Sequence, residues 1–297
     1  MLFALLTRVR SWFRVQEPAT PVCPPTKPKS RYVVTKDVAA TLFNEFAEHR
    51  RTARGNEEIG WLLVGHRSGT EIHVIGTIPA GTHRDASAVH VSFDSEAQTL
   101  ASRIIRQVDR RLQIVGIVHT HPGSMRHPSE GDLQGDRQWI QQLQHAEAIF
   151  AIGTADGDAS EPNGLHFSWY ALGVDDDDYR AVEMDFAAGA DAGSPLREIW
   201  DVVESRSGPL NRICRLYAAV RLGIINEDEA TWLRATLALP WTGQQLYLLL
   251  SSTEARYYWE NGQSFIAIDL QEADIEIAVL MILMELTRKQ TEQSPSS

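Results

Sequence analysis

The chain has 297 residues, of which 43% are hydrophobic and 23% charged, the proportions of a globular protein with a sizeable buried core. Its formal net charge is -11, so binding to nucleic acid, which requires concentrated lysine and arginine, is not expected. Its two cysteines, Cys23 and Cys214, are too few for a disulfide framework and fit a reducing, cytoplasmic environment. No stretch approaches the ~20 apolar residues of a transmembrane segment, so none is expected.

Residues 1–31 are predicted to form an N-terminal segment and linker. The opening stretch MLFALLTRVRSWFRV mixes apolar and basic residues. It is compatible with a frayed terminus, a docking helix, or an amphipathic helix that lies on a membrane or a partner. It lacks the cleavage site of a secretion signal. Residues 16–31 are rich in proline and are predicted to be an extended linker.

Residues 32–187 are predicted to form one domain of the α+β or mixed α/β class, because helical and strand patterns alternate irregularly. Apolar residues at helical spacing predict three helices. Short segments rich in β-branched and aromatic residues predict six strands. The predicted helices cover 35–53, 94–112 and 129–145, and the predicted strands cover 58–67, 70–81, 88–93, 113–121, 146–154 and 164–173. The acidic run Asp175 to Asp178 is predicted to be a solvated loop, since it lacks the ligand spacing of a calcium loop.

Residues 195–290 are predicted to form a second, mostly α-helical domain. Three segments have a helical pattern, with Pro209, Gly223, Asn226 and Pro240 as boundary signals. They read LREIWDVVESRSG, PLNRICRLYAAVRLG and NEDEATWLRATLALP. The stretch QQLYLLLSS fits either helix or strand, SFIAIDL fits a strand, and a last helix is predicted over 272–289. No catalytic motif is evident in this region, so its role stays open.

The stretch HTHPGSMRHPSEGD, residues 119–132, has the composition of a metal site. His119 and His121 end an apolar strand two residues apart, so both side chains point to one face and can reach one ion. Ser129 can cap the following helix, which places Asp132 in its first turn. Two histidines and one carboxylate form a three-ligand set for Zn²⁺ with a fourth position left for water, which is typical of catalytic zinc. His127 is interpreted as a bystander.

A catalytic zinc site also needs a general base. Glu57 and Glu58 begin a predicted strand, and a carboxylate there could reach the site, although the two residues point to opposite faces. The Ser129 hydroxyl has two interpretations, as a helix cap only or as a donor to a developing oxyanion.

The pattern HTHP, six residues, Ser129, two residues, Asp132 resembles the JAMM signature of the JAB/MPN metallopeptidase family. In that family the catalytic glutamate lies three residues before a glycine, as Glu57 does in EEIG, so the resemblance selects Glu57 over Glu58. It implies a curved mixed sheet flanked by helices over residues 32–187. It also implies zinc on His119, His121 and Asp132, with Glu57 as general acid/base and Ser129 assisting the oxyanion. No further cofactor is implied.

Family members of this kind cut isopeptide or peptide bonds after the C-terminus of ubiquitin or ubiquitin-like modifiers. The resemblance thus implies a zinc-dependent, deubiquitinase-like peptidase of a prokaryotic branch, with a ubiquitin-like protein or its conjugates as substrate. Activating (E1-like) and conjugating (E2-like) enzymes are its expected partners. The alternative is a catalytically silent MPN scaffold in which the C-terminal domain is the working part. A DNA-repair role, suggested by a similar loop in one bacterial branch, is disfavoured by the acidic charge. The oligomeric state stays open.

Overall fold

The structure is a computed structural model, in which part of the chain is described. The described residues are 30–81, 86–87, 90–91, 93–143, 147–157, 162–217, 219–227, 229–239, 243–270 and 274–293. The expectations for the N-terminal segment and linker fall outside these residues, apart from the last two positions of the linker.

The first half of the chain forms one large mixed sheet and a two-stranded pair. Its strands are β1 (Arg31–Thr35), β2 (Gly60–Ser68), β3 (Glu71–Pro79), β4 (Ala86–Ser87), β5 (His90–Val91), β6 (Gln113–Thr120), β7 (Glu147–Thr154), β8 (His166–Gly173), β9 (Arg180–Ala181) and β10 (Met184–Ala187). The large sheet has eight strands in the order β10-β1-β3-β2-β6-β7-β8-β9, and β4 pairs with β5. The two edge strands β9 and β10 follow each other in the chain, so the sheet curls until its edges approach.

Three helices flank this sheet: α1 (Lys36–Arg50), α2 (Ser95–Val108) and α3 (Glu130–Ile140). Successive residues of β2 alternate between two apolar clusters, as the period of a strand requires. Trp61 and Leu63 pack in the cluster that contains α1, whereas Leu62 and Val64 pack in the cluster that contains α2. Helices therefore cover both faces, and the predicted curved mixed sheet flanked by helices is confirmed.

The second half differs from the prediction of a mostly helical domain, which is wrong. It contains α4 (Ser194–Glu198), α5 (Trp200–Leu216), β11 (Val220–Glu227), β12 (Ala230–Ala238), β13 (Gln245–Leu250), β14 (Ala255–Asn261), β15 (Ser264–Ile268) and α6 (Ile275–Gln293). The strands form a five-stranded sheet in chain order, and every neighbouring pair is antiparallel. The strand predicted in SFIAIDL and the last helix are present.

Three of the four boundary signals in this half have other roles, and the fourth, Pro240, lies outside the described residues. Pro209 lies inside α5 rather than at a helix start, while Gly223 and Asn226 lie within β11. The segment predicted as the third helix is β12, whose Leu233, Ala235 and Leu237 are buried on one face. Residues four apart share a face in a helix and in a strand alike, so the pattern fits both structures.

The two halves share one apolar core. Residues of α2 and α5 lie in the same cluster as residues of β12, β13 and α6. The Asn211 side chain of α5 donates hydrogen bonds to the backbone oxygen and the carboxylate of Glu96 on α2, at 2.8 and 2.7 Å. The division into domains 32–187 and 195–290 stays a prediction. Within the described residues, no helix combines the length and apolarity that crossing a membrane demands.

Candidate metal centre

Strand β6 delivers both histidines to one place. His119 lies near its end, and the chain continues alongside β7 because the His121 N–H donates to the Gly153 carbonyl at 2.8 Å. Thr120, between them, faces the other way, and its hydroxyl oxygen accepts from the Ile59 N–H at 3.0 Å. Both imidazoles are buried. The predicted strand-end placement of the histidines is therefore present.

The start of α3 brings the carboxylate to the histidines. Ser129 is its N-cap, and its hydroxyl oxygen accepts from the Asp132 N–H at 3.2 Å. The Asp132 carboxylate in turn accepts from the Ser129 N–H at 2.6 Å, which completes a capping box. These reciprocal bonds fix the first turn of the helix, so the direction of the Asp132 side chain is set locally.

Three side chains converge in a cluster of His119, His121 and Asp132. Their ligand atoms all lie within 4.8 Å of one another. The two histidine Nε2 atoms are 3.2 Å apart, and the Asp132 carboxylate lies 3.3 Å from Nε2 of His119 and 3.8 Å from that of His121. Ligand atoms of a tetrahedral zinc ion are roughly 3.3–3.6 Å apart, given zinc–ligand distances of about 2.0–2.2 Å. The cluster therefore fits a metal ion of this size.

The chemical state of His121 and Asp132 also fits a metal, whereas for His119 the hydrogen bond and charge of Asp132 outweigh burial and raise the pKa. Nδ1 of His121 lies 2.7 Å from the carbonyl oxygen of Met125, so this nitrogen carries the proton and Nε2 keeps its lone pair for the cluster. Burial lowers the pKa of His121, which favours the neutral, ligating form. Burial alone would raise the pKa of Asp132, but the hydrogen bond and charge of His119 outweigh it and hold the pKa well below its usual range.

The acid that accompanies the cluster is Glu58 rather than Glu57. In the antiparallel pairing of β2 with β6, Gly60 lies opposite His119. Two residues earlier, Glu58 falls on the same face and level with His121, because side chains of alternate residues share a face. Glu58 is buried, and burial raises its pKa to about 7. The charge of His119 opposes this rise, and the charge of Asp132 reinforces it.

Glu57 has a different environment, and this corrects the choice made from the EEIG pattern. Its carboxylate accepts a hydrogen bond from the Arg54 guanidinium at 2.6 Å, and the pair is partly exposed. The face of the strand on which Glu57 lies is opposite to that of Glu58. The structure therefore brings His119, His121, Asp132 and Ser129 together but does not bring Glu57 to them.

Sequence reasoning did not single out Asp136, which lies one helical turn after Asp132. Its carboxylate accepts a hydrogen bond from the Tyr179 hydroxyl at 2.7 Å. Burial raises the pKa of Asp136 to about 7. The Tyr179 hydrogen bond and the charge of His119 lower this pKa, and the charge of Asp132 raises it. Its i, i+4 spacing from Asp132 was the available signal, since such residues share a helix face.

Two tyrosines support the loop and the helix of the cluster. The Tyr170 hydroxyl lies 2.8 Å from the Arg126 carbonyl and 3.1 Å from Nδ1 of His127. The ring of Tyr179 makes edge contacts with those of Tyr170 and Phe150. His127 is exposed and bound to Tyr170, outside the cluster. The contacting rings of Tyr170 and Tyr179 thus support both elements: Tyr170 bonds to the loop, and Tyr179 bonds to Asp136 of helix α3.

Comparisons with known proteins concern the first half of the chain. Residues 39–181 match the family model described as prokaryotic homologs of the JAB domain. A protein from Desulfitobacterium hafniense, solved in solution, is 19% identical over 54% of this chain and 94% of its own, with a TM-score of 0.39. A JAB1/MPN domain protein from Archaeoglobus fulgidus, solved in a crystal, is 14% identical over 53% of this chain and 99% of its own, with a TM-score of 0.28. No curated protein matches the sequence. The matched residues 39–181 include the whole cluster and Glu58.

Proposed function

We propose that this chain, whose residues 39–181 match the model of prokaryotic homologs of the JAB domain, is a zinc-dependent metallopeptidase. Its proposed reaction is hydrolysis of an isopeptide or peptide bond at the C-terminus of a ubiquitin-like protein. The observation that carries the proposal is the convergence of His119, His121 and Asp132, with the buried Glu58 on the same face of the sheet. Three ligands and an accompanying acid are the components of a catalytic zinc site.

In this proposal Nε2 of His119, Nε2 of His121 and the Asp132 carboxylate hold the ion. Zinc, when bound, polarises a carbonyl group and makes water nucleophilic at neutral pH. The Met125 carbonyl keeps the His121 ring in its ligating tautomer. The capping box with Ser129 keeps Asp132 aimed at the histidines, so little ordering is left to occur on metal binding.

Glu58 is proposed to carry the proton. Its carboxylate accepts a proton from the attacking water and delivers it to the nitrogen of the leaving amine. A pKa raised to about 7 by burial suits both steps at neutral pH. Ser129 is proposed to donate its hydroxyl hydrogen to the developing oxyanion, which is compatible with the same oxygen accepting from the Asp132 N–H.

The test combines zinc content with cleavage of a panel of ubiquitin-like fusions by the full chain. One zinc per chain, with cleavage, is expected for the wild type, and both are expected to be lost in His121→Ala. His73→Ala is the matched control, because this histidine lies on β3, bonded to Glu71 and outside the cluster. A wild type without stoichiometric zinc would contradict the proposal and favour the scaffold interpretation. Zinc without cleavage of any fusion would remove the assigned substrate class.

A further inference from the structure

Helix α6 has apolar residues on two faces. Its residues Ala278, Val279, Ile282, Leu283 and Leu286 are buried in the shared core. A second set is exposed: Ile277 by 48%, Leu280 by 45%, Met281 by 47% and Met284 by 73%. A helix that is apolar all round normally has partners on both faces. The exposed set, which we call the α6 stripe, therefore indicates a contact that the described residues of one copy do not supply.

The α6 stripe is continuous and extends onto a sheet edge. At 100° per residue, Ile277, Leu280, Met281 and Met284 fall within an arc of roughly 100°. Met281 and Met284 also line a groove of about 770 Å³ whose opposite wall includes Ile266 of β15, the edge strand of its sheet. Contiguous apolar surface of this kind is typical of protein–protein interfaces.

We propose that the α6 stripe binds the α6 stripe of a second copy of this chain, with the two helices antiparallel. The stripe reads nearly the same in both directions, with Leu280 and Met281 at its centre and Ile277 and Met284 at its ends. A two-fold axis between positions 280 and 281 places Ile277 of one copy against Met284 of the other, twice. Such self-complementarity is the requirement of a two-fold interface, in which one patch serves both subunits.

The charges of α6 favour the same arrangement. Asp274 caps the start of the helix, where its carboxylate accepts from the N–H groups of Glu276 and Ile277. Arg288 lies near the other end, within the arc of the stripe, and bonds to Glu285 at 2.7 Å. In the antiparallel pair, Arg288 of each copy lies near the second copy's Asp274, at the start of that copy's α6. A parallel pair would instead place like charges together, so the second copy is an antiparallel occupant.

The first test is the concentration dependence of the mass of the full chain, by sedimentation equilibrium. A dimer is expected, and Met284→Lys should raise its dissociation constant at least about tenfold, equivalent to one strong interface contact. Val108→Lys is the control, because Val108 is 87% exposed on another helix. Both positions are exposed in one copy, so both variants should be folded, with the circular dichroism spectrum of the wild type. A wild type that stays monomeric, or a dimer equally strong in Met284→Lys, overturns the proposal.

A second test fixes the direction of the helices. With both natural cysteines replaced by serine, the double variant Ile277→Cys, Met284→Cys should form covalent dimers on oxidation. Ile277 and Met284 lie about 10.5 Å apart along the axis of one helix. In the antiparallel pair, identical positions of the two copies are separated along the axis by the same distance. Both separations are beyond disulfide reach. Neither single variant should therefore cross-link. Cross-linking of the single variants as strong as that of the double variant would show a parallel pair and contradict the antiparallel assignment.

Discussion

Substitution of Glu58 by glutamine should abolish catalysis while leaving the metal site intact. A positioned general acid/base contributes about 10²- to 10⁴-fold, so kcat/KM should fall by that factor, equivalent to about 3–5 kcal/mol of transition-state stabilisation. Glutamine has nearly the same size and keeps a polar atom at this buried position. Because Glu58 is not among the three converging ligands, zinc content should stay at one per chain.

Glu57→Gln is the matched control, since it makes the same chemical change one residue away. Its ion pair with Arg54 is partly exposed, with 31% of the Glu57 side chain and 42% of the Arg54 side chain accessible. Such a pair contributes at most about 1 kcal/mol to stability and nothing to the cluster. Cleavage of the fusion panel and metal analysis are to be measured for both variants. Full activity in Glu58→Gln, or loss of activity in Glu57→Gln alone, would refute the assignment made from strand register.

Three further substitutions test how the cluster is supported. Ser129→Ala removes the cap of α3, which should lower the free energy of unfolding by about 1 kcal/mol in thermal unfolding. It should also weaken zinc retention against a chelator. Unchanged retention would show that Asp132 is held by other contacts. Tyr179→Phe removes the donor to Asp136 and should cost about 1 kcal/mol with no loss of zinc stoichiometry; a loss of zinc would instead give Asp136 a direct role. Gly116→Ala places a Cβ 2.0 Å from the Ile149 carbonyl oxygen, so the free energy of unfolding should fall by at least about 2 kcal/mol. An unchanged value in chemical denaturation would contradict the close approach of β6 and β7.

The cluster was predictable because its information is local. His119 and His121 are two residues apart on one strand, and Ser129 and Asp132 are three apart at a helix start, so spacing alone places each pair. The choice between Glu57 and Glu58 is not local. It depends on Gly60 lying opposite His119, a register between strands that are distant in sequence. A shift of one residue in that register exchanges the two faces, so the sequence pattern could not settle the choice.

The fold of the second half shows a different limit. The apolar residues of β12 recur at spacings that a helix and a strand both satisfy, and the neighbouring polar residues resembled helix caps. What decides the outcome is pairing with β11 on one side and β13 on the other, which buries Leu233 and Leu237. Such pairing is a tertiary effect that overrides local preference. The last helix was predictable because its apolar run is long and uninterrupted.

The shared core yields a prediction about the predicted domains 32–187 and 195–290. If each were an independent unit, a chain ending at residue 193 would fold alone and the whole chain would unfold in two steps. In the structure, however, Val203 and Leu210 of α5 lie in one cluster with Leu100 and Ile104 of α2. Removal of residues 194–297 would expose the α2 face of the large sheet, at about 1.5–3 kcal/mol for each large apolar side chain uncovered.

Only a few such side chains therefore exceed the 5–15 kcal/mol that stabilises a typical protein. We expect the full chain to unfold in one cooperative calorimetric transition, and the shortened chain to lack a transition and to bind a hydrophobic dye. Leu216→Ser in the full chain is the control, because Leu216 ends α5 and is 63% exposed. A shortened chain that melts cooperatively near the wild-type temperature would show that the shared apolar core is an interface between two independent folds. In that case the cluster of His119, His121 and Asp132 would form without residues 194–297.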